Sequence, residues 1–403
     1  MNYSKKVLFL IFCISLFNYI DRQVLYAVFP LIKTDLNLSD TQLGLLASAF
    51  MVIYTVISPI MGFIGDKVKR PFIIGGSVIF WSFATITSGL SRTFGQLGFS
   101  RGLVGVGEAG YGSVCPSYLA EWFRPELRAR IMSLYALAIP VGSAIGYLLG
   151  GYFGHKYGWR EAFYIVAVPG ILLGFIALSL KETPQRENRT PASFSEYKKL
   201  FKNRTYLLIA FSKAIGTFSV GGLAAWMPTY YVRNWDLTVA EAGFKFGLIT
   251  VAAGILGNVA GGFLADWFRK YNKRSYFIVG YMSFFLSVPF AVLSLDASTL
   301  NASLAYVFVC EFFIFMHSGP YHAAIVEVTP VNIRSMAFAL DIFIIHAFGD
   351  AVSPLIVGYV SDKHGLVIAI FFAAIYLLGG GITSILAGHF YKKDHAKEGK
   401  LED

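Results

Sequence analysis

The sequence predicts an all-α membrane protein whose twelve transmembrane helices form two related, pseudo-symmetric six-helix bundles. Three observations carry that prediction: too little charge for a soluble chain, twelve apolar runs of membrane-crossing length, and an internal repeat at an offset of about two hundred residues.

Of the 403 residues, 56% are hydrophobic and 14% charged, against about 25% charged in an average soluble domain. Phenylalanine (37), tyrosine (23) and glycine (40) are all plentiful. Small residues let helices approach closely in lipid, where no hydrophobic force drives them together. The formal net charge of +10 does not mark a nucleic-acid binder, because the basic residues sit in short segments between apolar runs. Cys13, Cys115 and Cys310 fall inside apolar runs without metal or redox spacing and read as small core residues. Lys5 and Lys6 precede a run with no small-residue cleavage site that continues past Asp21, so it reads as a first membrane helix, not a signal peptide.

A helix needs about 20 apolar residues to cross the hydrocarbon core. Spans 1 to 12 cover approximately residues 7–30, 41–64, 72–90, 94–119, 130–152, 161–180, 205–230, 240–264, 275–295, 301–326, 335–360 and 366–390. Prolines 59, 116, 140, 169, 228, 289, 320 and 354 lie in or near them. Such prolines would end soluble helices, but membrane helices accommodate them as kinks.

Alternate loops differ in basic content. With the N-terminus inside, inner segments hold 24 Lys and Arg and outer loops six, which places both termini in the cytoplasm. The expected organisation is an N-terminal bundle (1–180), a cytoplasmic linker (181–204), a C-terminal bundle (205–391) and a cytoplasmic tail (392–403). Within the linker, Phe194 to Phe201 is amphipathic and suits the inner membrane surface.

The repeat is specific. Gly62-Phe-Ile-Gly-Asp66-Lys-Val-Lys-Arg70 after span 2 returns as Gly262-Phe-Leu-Ala-Asp266-Trp-Phe-Arg-Lys270 after span 8. Glu121 with Arg128 returns as Glu327 with Arg334, and Gly151-Tyr152 as Gly358-Tyr359. These matches have offsets of 200, 206 and 207, at equivalent places. Parallel repeats of this kind place a binding site between the halves, near mid-membrane.

With these motifs the chain resembles the major facilitator superfamily over its whole length. The Gly-x-x-x-Asp-Lys-x-Lys-Arg stretch is similar to that superfamily's loop 2–3 signature, with Lys69 where glycine is common, and the Glu-x6-Arg pairs resemble its cytoplasmic latch. Asn18-Tyr19-Ile-Asp21-Arg22 and Arg101-Gly-Leu-Val-Gly-Val-Gly-Glu108 are similar to the Spinster family of lysolipid and sphingolipid transporters, and equally to organic anion symporters. His346-Ala-Phe-Gly349-Asp350-Ala-Val-Ser353-Pro354 looks Spinster-like, and Glu311 fits the acidic position of that family's helix 10. The resemblance implies the major facilitator fold and a secondary transporter, taken here as a monomer in a bacterial inner membrane.

Charges inside the spans need a reason, since one at the bilayer centre costs about 2.5–3.5 kcal/mol even on lenient scales. Asp21 and Arg22 lie about nine residues from the outer end of span 1, and Arg101 about seven from that of span 4. Those depths agree, so Asp21 and Arg101 can meet. Glu108 is seven residues beyond Arg101, on the same face and about 10 Å deeper, with no partner beside it in the sequence. Arginine's planar fork suits carboxylate or phosphate, which makes Arg22 and Arg101 headgroup candidates, with Tyr19 and Glu311 alongside. Burial and a neighbouring guanidinium act on a glutamate in opposite directions, which makes Glu108 the proton-coupling candidate, with Asp21 a counter-ion or second proton site. The alternatives are an Asp21–Arg101 pair that only fixes packing, and an Arg22 that snorkels to the outer headgroups.

The second half offers His346 and Asp350 on one face of span 11, His317 and His322 on span 10, Asp341, and Lys213 on span 7. They suit a proton relay or satisfied core positions. Lys213 could instead reach the inner interface. Asp66, Glu121, Arg128, Asp266, Glu327 and Arg334 are expected at cytoplasmic helix ends as gating charges between the halves. No tight cluster suggests a metal, and no phosphate loop or nucleophile–base motif suggests an enzyme or a cofactor. Gly102, Gly105 and Gly107 belong to a helix-packing pattern. The expected partners are an amphipathic anionic lipid, protons and membrane lipids, with no nucleic acid. The competing readings are a proton-linked symporter of small organic acids and a non-transporting membrane sensor.

Overall fold

In the computed structural model, which describes residues 3–183, 197–330 and 333–397, all regular structure is helical. Spans 2 to 4 are continuous helices: α3 (Asp40–Lys67), α4 (Arg70–Leu90) and α5 (Phe94–Glu121). So are spans 6 to 9: α8 (Trp159–Leu178), α10 (Arg204–Asn234), α11 (Val239–Arg269) and α12 (Ser275–Leu295). The other spans are broken. Span 1 comprises α1 (Tyr3–Ala27) and α2 (Phe29–Leu36), and span 5 comprises α6 (Pro125–Ala136) and α7 (Ala138–Tyr157). Span 10 is α13 (Leu300–Phe315) with α14 (Ser318–Val328). Span 11 is α15 (Arg334–Ile345), a wide turn His346–Asp350 and α16 (Ser353–His364), and span 12 is α17 (Leu366–Ile375) with α18 (Leu377–Lys397). A short α9 (Tyr197–Lys202) precedes α10 and packs against α15; Phe194, where the expected amphipathic stretch begins, lies outside the described residues.

Eleven described spans are long and apolar enough to cross a membrane. The twelfth, α5, has 28 residues, with Arg101, Glu108 and several glycines diluting its apolarity. The prolines act in two ways. Pro59, Pro116, Pro169, Pro228 and Pro289 stay inside continuous helices. Pro30, Pro140, Pro320 and Pro354 follow within a few residues of breaks at Val28, Leu137, Met316–His317 and the 346–350 turn. A proline removes the hydrogen bond to the residue four back and its ring presses on that carbonyl, which opens the helix there.

The repeat extends to caps and turns. Thr93 and Thr299, 206 apart, each accept a hydrogen bond from the backbone N–H three residues on, at 3.3 Å. Gly158 and Gly365, 207 apart, start α8 and α17 at φ +108° and +89°, a region that favours glycine.

Two compact units emerge from the contacts. The first holds Met1–Arg189 with Ala224–Val251 and Pro354–Lys363; the second holds Thr190–Leu223, Ala252–Ser353 and His364–Asp403. In the first unit α3 packs on α5, α4 on α5 and α8, and α1 on α7. Gly142, Gly146 and Gly150 of α7 face the backbone of α1. A Cβ on Gly146 would lie 2.7 Å from the Ile20 carbonyl oxygen. In the second unit α12 packs on α13, α14 and α18.

Candidate functional site

Neighbouring residues on a helix point about 100° apart, and in α1 this sends Asp21 and Arg22 to different partners. Asp21 is 3% exposed; its Oδ1 accepts from Arg101 Nη1 at 3.0 Å and its Oδ2 from the Thr85 hydroxyl of α4. Arg22 turns to α5, where its Nε donates to Glu108 Oε2 at 2.7 Å. Glu108, read from the sequence as standing alone, therefore has a cationic partner. The depth argument missed it because the long arginine stem spans the interval that spacing along α5 leaves open. Arg22 thus points inward and does not snorkel to the outer headgroups.

The walls around Arg22 are aromatic. Its guanidinium lies 5.1 Å from the Tyr19 ring centroid and 5.0 Å from those of Phe50 and Tyr54, and Arg101 lies 5.4 Å from Phe50. Rings at these distances attract a cation through their quadrupoles and present flat apolar surface. Two buried polar atoms there, Glu108 Oε1 and Arg101 Nε, have no hydrogen-bond partner. The result is a half-satisfied group of two carboxylates and two guanidiniums in the interior of the first unit.

In the second unit, Lys213 of α10 donates to Asp341 Oδ2 of α15, with both side chains buried, so Lys213 does not reach the interface. His346 Nδ1 and Asp350 Oδ1 meet at 2.9 Å across the wide turn, where Gly349 leaves helical geometry at φ −108°, ψ −108°. His317 packs between Phe284 and Tyr321 with Nδ1 against the Ile314 carbonyl, and His322 lies on Phe338. Glu311 is buried on α13. Among the described residues no group of His, Cys, Asp and Glu could hold a metal ion.

At the C-terminal ends of α5 and α14, both latch glutamates bond to an arginine from the preceding loop motif of their own half. Arg70 Nη2 reaches Glu121 at 2.7 Å and its Nε reaches Glu182 at 3.0 Å, with Thr183 a further partner. Arg269 holds Glu327 with two bonds of 2.5 and 3.1 Å. Arg128 donates to the Phe123 carbonyl at 3.1 Å, and Asp266 is exposed at the end of α11. The side chains of Asp66 and Arg334 lie outside the described set.

Sequence reading passed over one network at the start of α3, because Lys33 and Arg233 read as ordinary topology charges. Asp40 at the start of α3 is 3% exposed and accepts from Arg233 at 2.6 and 2.7 Å, Lys33 at 2.5 Å and Ser361 at 2.6 Å. Asp362 of α16 takes the backbone N–H groups of Asp40 and Thr41 at 2.9 and 2.8 Å, an anion on a helix N-terminus. Ser39-Asp40-Thr41-Gln42 is a capping box, which was the available signal.

Comparison with known proteins adds lineage to this geometry. The sequence profile of the Major Facilitator Superfamily matches residues 11–346. The chain is 32% identical to protein spinster homolog 1 of Xenopus laevis, over 90% of this chain and 74% of that protein. It is 28% identical to sphingosine-1-phosphate transporter SPNS2 of Xenopus tropicalis, over 96% of this chain and 82% of that protein. Among solved structures, a bacterial homolog of the human lysosomal transporter Spinster, inward-facing and unoccupied, superposes with a TM-score of 0.88 at 22% identity, covering 98% of each chain. A D-xylose–proton symporter superposes at 0.75 with 16% identity, covering 97% of this chain and 98% of that one. Both superpositions concern the fold alone.

Proposed function

The chain belongs to the Spinster family within the Major Facilitator Superfamily and is a multi-pass membrane transporter, not an enzyme; from that premise we propose that it moves an amphipathic anionic lipid, such as a lysophospholipid or a sphingolipid-like molecule, by proton-coupled alternating access. The observation that carries the reading is the Arg22–Glu108 pair under Tyr19, Phe50 and Tyr54. It sets a cation, an ionisable carboxylate and flat apolar surface side by side. An anionic headgroup competes with Glu108 for Arg22, and a proton on Glu108 releases that guanidinium to the headgroup. Asp21 keeps Arg101 in place as a second headgroup contact. The relative named as a sphingosine-1-phosphate transporter supports the lipid class.

In the same reading Glu311, His346, Asp350 and Lys213 are the second half's own candidates, and the Arg70–Glu121 and Arg269–Glu327 clamps, with Asp66, Arg128, Asp266 and Arg334, are the gating charges of their respective halves. The excess of basic residues in inner segments supports cytoplasmic termini, in a bacterial inner membrane.

The test is transport in proteoliposomes, with a panel of lysolipids and a panel of small organic acids, with and without a pH gradient. Lysolipid movement that a pH gradient accelerates, and that Glu108→Gln uncouples from the gradient, is expected. Robust organic acid transport with inert lysolipids would favour the small-anion symporter instead, since Arg22 and Arg101 suit either carboxylate or phosphate.

A further inference from the structure

We propose that the Lys213–Asp341 ion pair is a second proton-exchange site of the transport cycle, separate from Glu108, at which Asp341 takes up a proton as Lys213 is withdrawn. The inference rests on the transporter reading above but not on the identity of the substrate. Asp341 is 0% and Lys213 5% exposed, and while Nζ holds Oδ2, the equally buried Oδ1 has no hydrogen-bond partner. Buried carboxylate oxygens are ordinarily satisfied. An apolar pair of similar volume would pack α10 against α15 at least as well, because desolvating two charges offsets their attraction.

The first half shows that this contact between spans does not require charge. Residue 135 lies 206 positions before Asp341 and is a tyrosine, Tyr135 of α6, a helix that packs against α1. The position in span 5 that matches Asp341 of span 11 is thus neutral. The charge in the second half is an addition to the shared architecture.

Its position gives the addition a use. Asp341 precedes by five residues the turn at which Gly349 departs from helical geometry. Gly221 of α10 lies against that turn, where a Cβ would come within 2.7 Å of Asp350 Cβ. Just beyond, both helices pass from the second compact unit to the first, at residues 223/224 and 353/354. The pair therefore ties together two spans, each of which changes unit about three helical turns further on. Shear between them parts Lys213 from Asp341, and a parted buried carboxylate and ammonium is strongly unfavourable. A proton added to the Asp341 carboxylate removes that penalty. The carboxyl becomes neutral, Lys213 keeps its charge, and reversal returns the proton to water. Ionisable groups near the pair include His317 at the break before α14, His322 of α14 and His346 in the turn, all of them bases.

The experiment uses the full chain in lipid nanodiscs with no substrate added, so that it stands even where the lipid reading fails. Spin labels are placed through Tyr157→Cys in the first unit and Asp296→Cys in the second, on a background with the three native cysteines replaced by alanine, and their distance distribution is followed from acid to alkaline pH. A pH-dependent exchange between two distances is expected. Asp341→Asn, which mimics the protonated form, should move its midpoint by about one pH unit, a tenfold change in proton affinity, or abolish it. Glu108→Gln in parallel separates the two sites. Should Asp341→Asn fail to fold, the apolar pair Lys213→Met with Asp341→Leu carries the test. Titration identical to the parent in whichever variant folds, or a parent distribution that ignores pH, would overturn the proposal.

Discussion

Arg233 sets both terminal nitrogens on the Asp40 carboxylate, at 2.6 and 2.7 Å, and so fastens the C-terminal end of α10 to the start of α3. Lys33, Ser361 and the Asp362 cap converge on the same few residues, so one buried carboxylate organises α2, α3, α10 and α16. Asp40→Asn keeps the volume and removes the charge that Arg233 and Lys33 share. Hydrogen bonds to a charged group contribute about 1.5–3 kcal/mol. The expected result is a shift of about tenfold or more toward outward-open molecules, where 1.4 kcal/mol is one decade. Labelling of an outer-facing cysteine by an impermeant reagent measures it. Unchanged labelling in Asp40→Asn would remove the outer network from gating.

Arg22 and Glu108 make a geometrically demanding pair. The guanidinium bonds through Nε while its plane is shared among three aromatic rings. A lysine keeps the charge but has neither the fork nor the stacking plane. Arg22→Lys should therefore retain expression and thermal stability while transport falls by about tenfold, the effect of losing 1.4 kcal/mol of differential binding. Full transport by Arg22→Lys would mean that only point charge is needed there.

The legible part of this molecule was the part that membrane physics makes repetitive. Twelve runs of apolar residues declare themselves because the bilayer demands them, and α5 was readable as a span because its flanks are apolar although its middle is not. Asp21 and Arg101 could be brought together by counting residues from the outer ends. Pairing of Arg22 with Glu108 could not, because depth along a helix says nothing about how far a long side chain reaches along its neighbour. The outer network was hidden for another reason. Lys33, Arg233 and Asp362 occupy the last turns of their helices, where charges are common, and only their convergence on Asp40 and its helix start sets them apart. Helix breaks at Val28 and Met316 follow from Pro30 and Pro320, whereas Pro169 and Pro228 look the same in sequence and leave their helices continuous. Neighbouring helices that satisfy the freed carbonyls decide between the two outcomes, and a single sequence does not show them.

The Arg70–Glu121 and Arg269–Glu327 clamps are alike in sequence but differ in environment. Arg70 and Glu121 side chains are 6% and 8% exposed, whereas Arg269 and Glu327 are 36% and 27% exposed. Removing one member of a buried pair typically costs about 3–5 kcal/mol, and an exposed pair contributes about 0–1 kcal/mol. Arg70→Ala should lower the thermal midpoint of the detergent-solubilised protein much more than Arg269→Ala does. Equal shifts would show that water reaches Arg70 as freely as Arg269.

Packing of α7 on α1 offers a sharper test, because it has a built-in control. Gly142, Gly146 and Gly150 recur every fourth residue on the face of α7 that meets α1. In Gly146→Ala the new methyl would sit 2.7 Å from the Ile20 carbonyl oxygen and 2.8 Å from Gln23 Cβ. The first of these contacts is backbone, so α1 itself must move. Overpacking of this kind costs about 1–3 kcal/mol, and the movement falls on the stretch that aims Asp21 and Arg22 at their partners. Gly76 of α4 is also a helical glycine, but a Cβ there meets nothing within 4 Å. Gly76→Ala should leave stability unchanged or raise it by up to about 1 kcal/mol, the helix preference of alanine over glycine. Gly146→Ala should lose both thermal stability and transport, with activity falling further than stability alone explains. Thermal midpoints and proteoliposome uptake on the two variants decide the matter, and equal behaviour would mean that α1 and α7 are not held at the separation this contact implies.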